Sequence, residues 1–183
     1  MASTARFDVV AIGNAIVDVI ARADDALIAA EGLAKGSMRL IDAAEAARLY
    51  EAMGPAVEMS GGSAANTLAG MAALGRRCAF IGQVADDQLG GVFTHDLRTL
   101  GVAYDTPPLA GGAPTARCLI LVTPDGQRTM NTFLGASHLL EQAMIAEDWI
   151  ADADILYLEG YLFDRDEAKA AFRQAVAIAK SAG

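Results

Sequence analysis

The sequence predicts an α/β fold in which helices cover a mainly parallel sheet. Apolar runs typical of buried strands alternate along the chain with segments typical of amphipathic helices. Several of these runs are apolar on both faces, as is usual for strands of a parallel sheet. With 183 residues, of which 54% are hydrophobic and 20% charged, the chain is long enough for one well-buried globular domain.

The first half of the chain is divided by its apolar runs and by helix-capping residues. Asp42 is a helix-capping residue, with Glu45 at the position that completes a capping box. Gly32 and Gly75 are typical helix-terminating residues. We predict strands at residues 7–12, 15–22, 36–41 and 56–59, and helices at residues 24–33, 42–53 and 63–74.

The second half continues the alternation and adds a β-hairpin. Asp86 can begin a helix that Gly101 ends, and Pro124-Asp125-Gly126 is a turn sequence between two strand-like runs. Apolar residues at helical spacing mark a long final helix. We predict a strand at 78–84, a helix at 86–100, a hairpin within 115–133, helical structure at 139–151, a buried strand at 154–163 and a helix at 164–182.

The strands near 15–22, 36–41 and 115–133 do not fit the alternation of strands and helices. We expect them to form a small separate sheet, a flap beside the main layer. The final helix ends in "KSAG", and no strand follows it. Because a βα unit should return the chain to the sheet, we expect the sequence to stop before the fold is complete.

Charge and composition exclude several classes of function. The net charge of −9, spread along the chain, argues against nucleic-acid and membrane-surface binding, both of which need basic stripes. No apolar run is long enough to span a bilayer, and the start lacks a signal-peptide cleavage pattern, so a cytoplasmic protein is expected. Cys78 and Cys118 lack a CxxC spacing and are expected to be buried reduced thiols.

Well-known nucleotide, metal and nucleophile motifs are absent from the sequence. It contains no GxxxxGK[ST], no GxGxxG and no GxSxG. His95 and His138 lie far apart without flanking ligands, so no metal site is predicted. A P-loop site, a dinucleotide site and a hydrolase elbow are thus not expected.

The segment "MSGGSAANT", residues 59–67, has the composition of a ligand-lined helix start. Gly61 and Gly62 lack Cβ atoms and let a ligand approach the backbone, and the free N–H groups of a helix start can donate to its oxygens. Asn66 offers a donor and an acceptor, which suits a hydroxyl group. The alternative is tight helix–sheet packing with Asn66 as an ordinary polar residue of the first turn.

Asn14 and Asp18 add polar groups near the same place. Asn14 follows the first strand, and the carboxyl edge of a parallel sheet is where ligands bind. A carboxylate at Asp18 can accept hydrogen bonds from both hydroxyls of a vicinal diol. One carboxylate and two amides around a glycine-lined opening suit a sugar ring, although Asp18 could instead be a solvated strand residue.

These residues carry a resemblance to a known family. "SGGSAANTLAGMAALGRRCAFIGQVADDQLGG", residues 60–91, resembles the amino-terminal signature of the PfkB, or ribokinase-like, carbohydrate and nucleoside kinases. "GNAIVD" and "GLAKGSMRLID" are more similar to the adenosine kinase branch, and "PDGQRTMNTFLGAS" is similar to its lid hairpin. The resemblance covers essentially the whole chain and implies a ribokinase-like parallel sheet with a small β-sheet lid.

The family activity implied is transfer of the γ-phosphate of ATP, with Mg²⁺, to a primary hydroxyl of a sugar or nucleoside. By match to the family motifs, Asp18, Gly62 and Asn66 would hold the ribose hydroxyls, with Asn14 and Gly61 nearby. Such a protein would bind a small molecule and could form a homodimer through its lid.

Three further residues match family positions. Arg128 falls where an arginine approaches the transferred phosphate, although it could be a solvated hairpin residue. Tyr161 matches a position that lines the base pocket of adenosine kinases. Glu159 would be a sugar contact, as in ribokinases, or a buried acid at a strand end; the adenosine kinase pattern has a small residue there.

The family's second signature, of the type DTxGAGD, is absent from the 183 residues. That motif supplies the catalytic base and a hole for anions, so the chain resembles the amino-terminal portion of such a kinase, and we expect no kinase activity from these residues alone. Two alternatives remain: a non-catalytic sugar- or nucleoside-binding module, and a fragment that interacts through its lid.

Overall fold

The computed structural model describes residues 5–183. Residues 1–4, which are part of the segment predicted to lack a signal-peptide cleavage pattern, lie outside the described residues. The strands are Phe7–Ile12 (β1), Ile16–Arg22 (β2), Met38–Leu40 (β3), Ala56–Gly61 (β4), Cys78–Ile81 (β5), Val102–Tyr104 (β6), Ala116–Val122 (β7), Arg128–Phe133 (β8) and Ala153–Leu158 (β9). The α-helices are Asp25–Ala30 (α1), Ala43–Ala52 (α2), Ser63–Ala73 (α3), Gln88–Thr99 (α4), Glu147–Ala151 (α5) and Asp166–Ala182 (α6).

The main sheet is parallel throughout, with the strand order β6-β5-β1-β9. Alternate residues of β1 enter two different cores. Val9 and Ala11 pack with residues of α3 and α4, whereas Val10 and Ile12 pack with residues of α5 and α6. This two-sided burial explains the continuous apolar run and confirms the predicted α/β fold.

The second sheet, called the lid sheet below, has the order β3-β8-β7-β2-β4. It contains the three segments expected to form a flap, together with β4, which extends two residues beyond the predicted strand. One face joins the core through Val17, Val19, Leu119 and Leu121. Because side chains alternate along a strand, Asp18 lies on the opposite face.

Several elements differ from prediction: β5 ends at Ile81 and not at residue 84, and three further differences have local reasons. α4 begins at Gln88 because Asp87, not Asp86, caps it by accepting from the backbone N–H of Gly90 at 2.8 Å. β6 was not predicted, since its three residues are too few to show a period. The segment predicted as helical at 139–151 contains 3₁₀ turns and only the short helix α5.

The predicted buried strand at 154–163 is wrong in length and burial. β9 ends at Leu158, and Gly160–Leu162 forms a 3₁₀ turn. β9 is an edge strand of the described sheet, so Ile155 remains 56% exposed. Apolar composition marked the strand but not its position at an edge.

Two smaller expectations concern composition. Cys78 and Cys118 are free and buried, as predicted. Within residues 5–183 there is no helix with the length and hydropathy to cross a membrane.

Candidate functional site

Two of the segments that connect the sheets contact one another at the carboxyl edge of the main sheet. β1 leads into β2 through residues 13–15, and β4 leads into α3 through Gly62. Gly62 has a φ of 92°, and a methyl group added there would lie 2.6 Å from the carbonyl oxygen of Asn14. Only glycine therefore fits, because of both its backbone conformation and the close approach of Asn14.

Gly61 lies directly against Asp18. A methyl group added at Gly61 would fall on the carboxylate, 2.5 Å from Oδ2 and 2.6 Å from Oδ1. The absence of a side chain at Gly61 thus makes room for the carboxylate that the sequence analysis assigned to hydroxyl binding. The two residues come from neighbouring strands of the lid sheet, which pair antiparallel.

The carboxylate of Asp18 is half-buried among apolar neighbours. Met59 and Cys118 are its cross-strand partners and share its face of the sheet. No hydrogen-bond or ion-pair partner for the carboxylate occurs in the described part of the chain. Burial raises the pKa of Asp18, and the positive charge of Arg128 opposes that effect. A desolvated carboxylate without a protein partner is typical of a binding site.

A pH dependence follows from this raised pKa. Protonation of a carboxyl group removes its charge and turns one oxygen into a donor, so an ionised carboxylate accepts from two hydroxyls more strongly than a protonated one. If Asp18 binds a diol, the affinity for that diol should be complete above the raised pKa of Asp18 and fall as the pH drops through it. Because the pKa is raised, the decline should begin above the ordinary value of 3.8. Calorimetric titration between about pH 4 and 7 measures it. In the Asp18→Asn variant the decline should disappear; its persistence would assign it to another group.

The contribution of Asp18 to the stability of the folded chain changes with pH in the direction opposite to that of ligand binding. The folded chain holds the Asp18 proton more tightly than the unfolded chain does, because the folded pKa is raised. This contribution stabilises at low pH and is lost as the pH rises through the raised pKa. Ligand binding and stability therefore respond to this carboxylate in opposite directions.

A carboxylate that follows a strand distant in sequence accepts hydrogen bonds from the amino end of α3. Glu159 follows β9 and is 3% exposed. Its Oε1 accepts from the hydroxyl of Ser63 and, at 3.1 Å, from the backbone N–H of Ala64. Its Oε2 accepts from the backbone N–H of Asn14 at 2.6 Å and from the Asn14 side-chain amide at 3.2 Å. The carboxylate thus joins the ends of β1 and β9 to the start of α3.

Asn14 is held from a second side. The hydroxyl of Ser137, which is fully buried in a 3₁₀ turn after β8, lies 2.9 Å from Oδ1 of Asn14 and 2.7 Å from the carbonyl oxygen of Leu134, and its one proton is shared between these two acceptors. Sequence reasoning missed Ser63 and Ser137, because nothing local marks a serine that contacts a residue so far along the chain. The structure therefore brings together Asn14, Glu159 and the amino end of α3, and beside them Gly61, Gly62 and Asp18.

Three other candidate residues are open to solvent. Asn66 lies in the first turns of α3 with its side chain exposed. Arg128 begins β8, is exposed, and is linked to the site by its electrostatic effect on Asp18. Tyr161 is 76% exposed in the 3₁₀ turn after β9. Their roles in binding stay predictions.

The "D-x-x-G" part of the signature anchors the lid sheet. Besides capping α4, Asp87 accepts from the backbone N–H of Thr115 at 2.8 Å and from its hydroxyl at 2.6 Å, just before β7 begins. Gly90 is required because a methyl group there would collide with the carbonyl oxygen of Ala85. Asp87 thus ties the start of α4 to the residue that precedes β7 of the lid sheet.

The protein side chains that commonly ligate metal ions are those of His, Cys, Asp and Glu. Among residues 5–183, no group of three or more His, Cys, Asp or Glu side chains is placed to hold a metal ion. The described residues thus contain no preformed cluster of three or more ligands for the Mg²⁺ that the resemblance implies, an ion that one or two carboxylates and substrate phosphates usually hold in kinases.

Comparisons with known proteins agree with this geometry. The structure matches that of an adenosine kinase from Sinorhizobium meliloti with 54% identity and a TM-score of 0.89, covering 98% of this chain and 55% of that one. A probable sugar kinase from Rhizobium etli matches with 50% identity and a TM-score of 0.91 over the same shares. A fructokinase-2 from Solanum habrochaites is 31% identical over 125 residues, which are 67% of this chain and 38% of the relative.

The chain spans about half the length of these kinases, or less. The model of the pfkB family of carbohydrate kinases matches residues 6–183, nearly the entire sequence. This chain belongs to the PfkB family of carbohydrate kinases.

Proposed function

We propose that this chain forms the acceptor-binding part of an adenosine-kinase-like sugar or nucleoside kinase. The complete enzyme would transfer the γ-phosphate of ATP to a primary hydroxyl of the acceptor. The single observation that carries the proposal is the carboxylate of Asp18, half-buried without a protein partner and accommodated by the missing side chain of Gly61. A vicinal diol would supply the two donors that this carboxylate lacks.

The surroundings of Asp18 suit the rest of such a ligand. Met59 lies directly opposite Asp18 on the neighbouring strand, on the same face of the lid sheet, and is 44% exposed. An apolar surface beside a carboxylate fits a ligand that has a hydroxylated ring and a flat apolar body, as a nucleoside has. The likeness to an adenosine kinase at 54% identity supports a nucleoside, and the fructokinase relative keeps a free sugar as the alternative.

Phosphate transfer needs groups beyond those described. Arg128 would stabilise charge on the transferred phosphoryl group from the lid sheet. ATP supplies that group in the complete enzyme, and Mg²⁺ would neutralise its phosphates. The 183 residues contain no Gly-Ala-Gly-Asp sequence, so we limit the proposal for this chain to acceptor binding.

Ligand-shift melting tests the proposal. Adenosine at about one hundred times its Kd should stabilise the chain by about 2.7 kcal/mol. For a chain of this size that raises the Tm by roughly 5–10 °C. 2′,3′-Dideoxyadenosine, which lacks the diol, is the matched control ligand and should shift the Tm little. Ribose and fructose test the alternative acceptors.

A coupled assay of ADP release measures turnover in the same samples. We expect binding without turnover from the isolated chain. Absence of a shift with every acceptor would contradict the proposal, and robust turnover would contradict its restriction to acceptor binding.

A second candidate function, self-association through the lid sheet, has its own supporting observation. Two pairs of exposed apolar residues lie on one face of this sheet, at its two opposite edges. Met38 and Leu40 on β3 are 55% and 64% exposed, and Val57 and Met59 on β4 are 62% and 44% exposed. Clusters of exposed apolar side chains often mark interfaces. Sedimentation should then show a dimer that Val57→Glu dissociates, whereas Leu74→Glu, at an exposed position after α3, should not affect it. A monomer at all concentrations would exclude this function.

A further inference from the structure

Glu159 is a buried acid whose hydrogen bonds all go to the protein. The two amide nitrogens of Asn14 and the backbone nitrogen of Ala64 can only donate, so the carboxylate oxygens that they contact act as acceptors. Its exposed fraction is 3%. Four donors on two oxygens leave little capacity for a ligand hydroxyl.

The placement of these donors links Glu159 to acceptor binding. Asn14 provides the carbonyl oxygen against which Gly62 packs, and Ser63 and Ala64 are the first residues of α3. A methyl group added at Gly13 would lie 2.9 Å from Oε2 of Glu159 and 2.8 Å from Cβ of Ala64, so these parts are closely packed. A shift of this carboxylate would therefore move the wall of the glycine-lined opening.

The amino end of a helix attracts anions, because its N–H groups are unpaired and its dipole is positive there. In this chain a built-in carboxylate already occupies that position on α3. The negative charge of Glu159 therefore offsets the positive potential of the amino end of α3. A ligand that binds beside this helix end meets oriented polar groups without a net attraction for anions.

We propose that Glu159 is a positioning residue that presets Asn14 and the amino end of α3 for an uncharged polyol, without itself touching the acceptor. This inference rests on the proposed function, because it concerns the same binding site. It replaces direct sugar contact by Glu159, one of the two roles that the sequence left open. A preformed site binds more tightly because less ordering is required on binding.

The test uses the 183-residue chain, two ligands and three variants. Calorimetry gives Kd for adenosine and 2′-deoxyadenosine, and their ratio measures recognition of one hydroxyl. Glu159→Gln should weaken adenosine binding about tenfold, and the ratio should fall by about threefold or more, since the hydroxyl-binding groups are no longer held in place. A purely structural role would lower the Tm and leave this ratio unchanged.

Ser137→Ala is the milder second variant, because Ser137 is fully buried and contacts the side-chain oxygen of Asn14, whereas Glu159 binds its two nitrogens. It should lower the same ratio by a smaller factor, and it keeps the test valid if Glu159→Gln does not fold. Asp8→Asn is the control, since Asp8 pairs with Arg77 through a 2.7 Å contact near the start of β1. Asp8→Asn should lower the Tm and leave the ratio unchanged.

Amide hydrogen exchange supplies the structural readout. In Glu159→Gln the protection of the Asn14 and Ala64 amides should fall, whereas in Asp8→Asn it should persist. An unchanged ratio in folded Glu159→Gln or, failing that, in Ser137→Ala overturns the positioning role. If the wild-type chain binds none of the polyols, the proposed function itself has failed, which is a distinct result.

Discussion

Asp18→Ala should lower the affinity for adenosine by about 150-fold or more and leave the fold intact. The substitution removes two charge-assisted hydrogen bonds to the diol, a loss of about 3 kcal/mol or more. It also removes a carboxylate that burial disfavours and that no described residue pairs with, so the Tm of the free chain should be unchanged or higher. Isothermal titration and thermal melting measure the two quantities separately.

Glu58→Gln is the matched control for this prediction. Glu58 lies on β4 next to Met59, and it pairs with Val19, whose side chain faces the core and not the face of Asp18. Adenosine affinity should be unchanged in this variant. Asp18→Asn, which keeps the shape of the side chain, should fall between the wild type and Asp18→Ala. Wild-type affinity in Asp18→Ala would remove the basis of the proposed function.

Gly61→Ala should both destabilise the chain and weaken acceptor binding. The added methyl group coincides with the carboxylate of Asp18, which must rotate away from its position. Overpacking of this kind costs about 1–3 kcal/mol. Chemical denaturation should show the loss of stability, and calorimetry should show the loss of affinity, because the displaced carboxylate no longer faces the diol.

Gly70→Ala provides the control within the neighbouring helix. Gly70 lies inside α3, and an added methyl group meets no atom within 4 Å. Alanine is favoured over glycine in a helix, so this variant should be more stable by about 0.5–1 kcal/mol, with unchanged affinity. The double variant Gly61→Ala/Asp18→Ala should recover most of the stability lost in Gly61→Ala. Additive losses would show that the two residues do not interact.

Local sequence patterns predicted the elements whose burial follows a regular period or a continuous apolar run. β1 is apolar from Val9 to Ile12 because both of its faces are covered there, and the hairpin of β7 and β8 follows its turn sequence. The caps at Asp42 and Asp87 were within reach of the same reasoning, although the adjacent Asp86 placed the second one residue too early. Such features depend only on neighbours along the chain.

The features that were predicted wrongly, or not at all, depend on contacts between residues far apart along the chain. β9 has the composition of a central strand but lies at an edge, and only the sheet order reveals this. The membership of β4 in the lid sheet follows from its pairing with β2, about 40 residues earlier. Periodicity contains no information about which strand will be adjacent.

In the candidate site, too, residue types were predictable from the sequence and long-range contacts were not. Asp18, Gly61, Gly62 and Asn14 were identified as residue types suited to a hydroxylated ligand, and the structure places them together. The contacts of Glu159 with Asn14 and Ser63 span 145 and 96 residues, and they could not be read from spacing. Sequence reasoning thus left its two roles open.

The parallel pairing of β2 with β7 has a consequence for synthesis on the ribosome. β2 and β4 can pair as soon as residue 61 has emerged, but the central neighbour of β2 begins at Ala116. At about 5–20 residues per second, the intervening segment takes roughly 3–11 s to make. Throughout that interval the ribbon of β2 and β4 has an unsatisfied backbone edge, which is a hazard for aggregation.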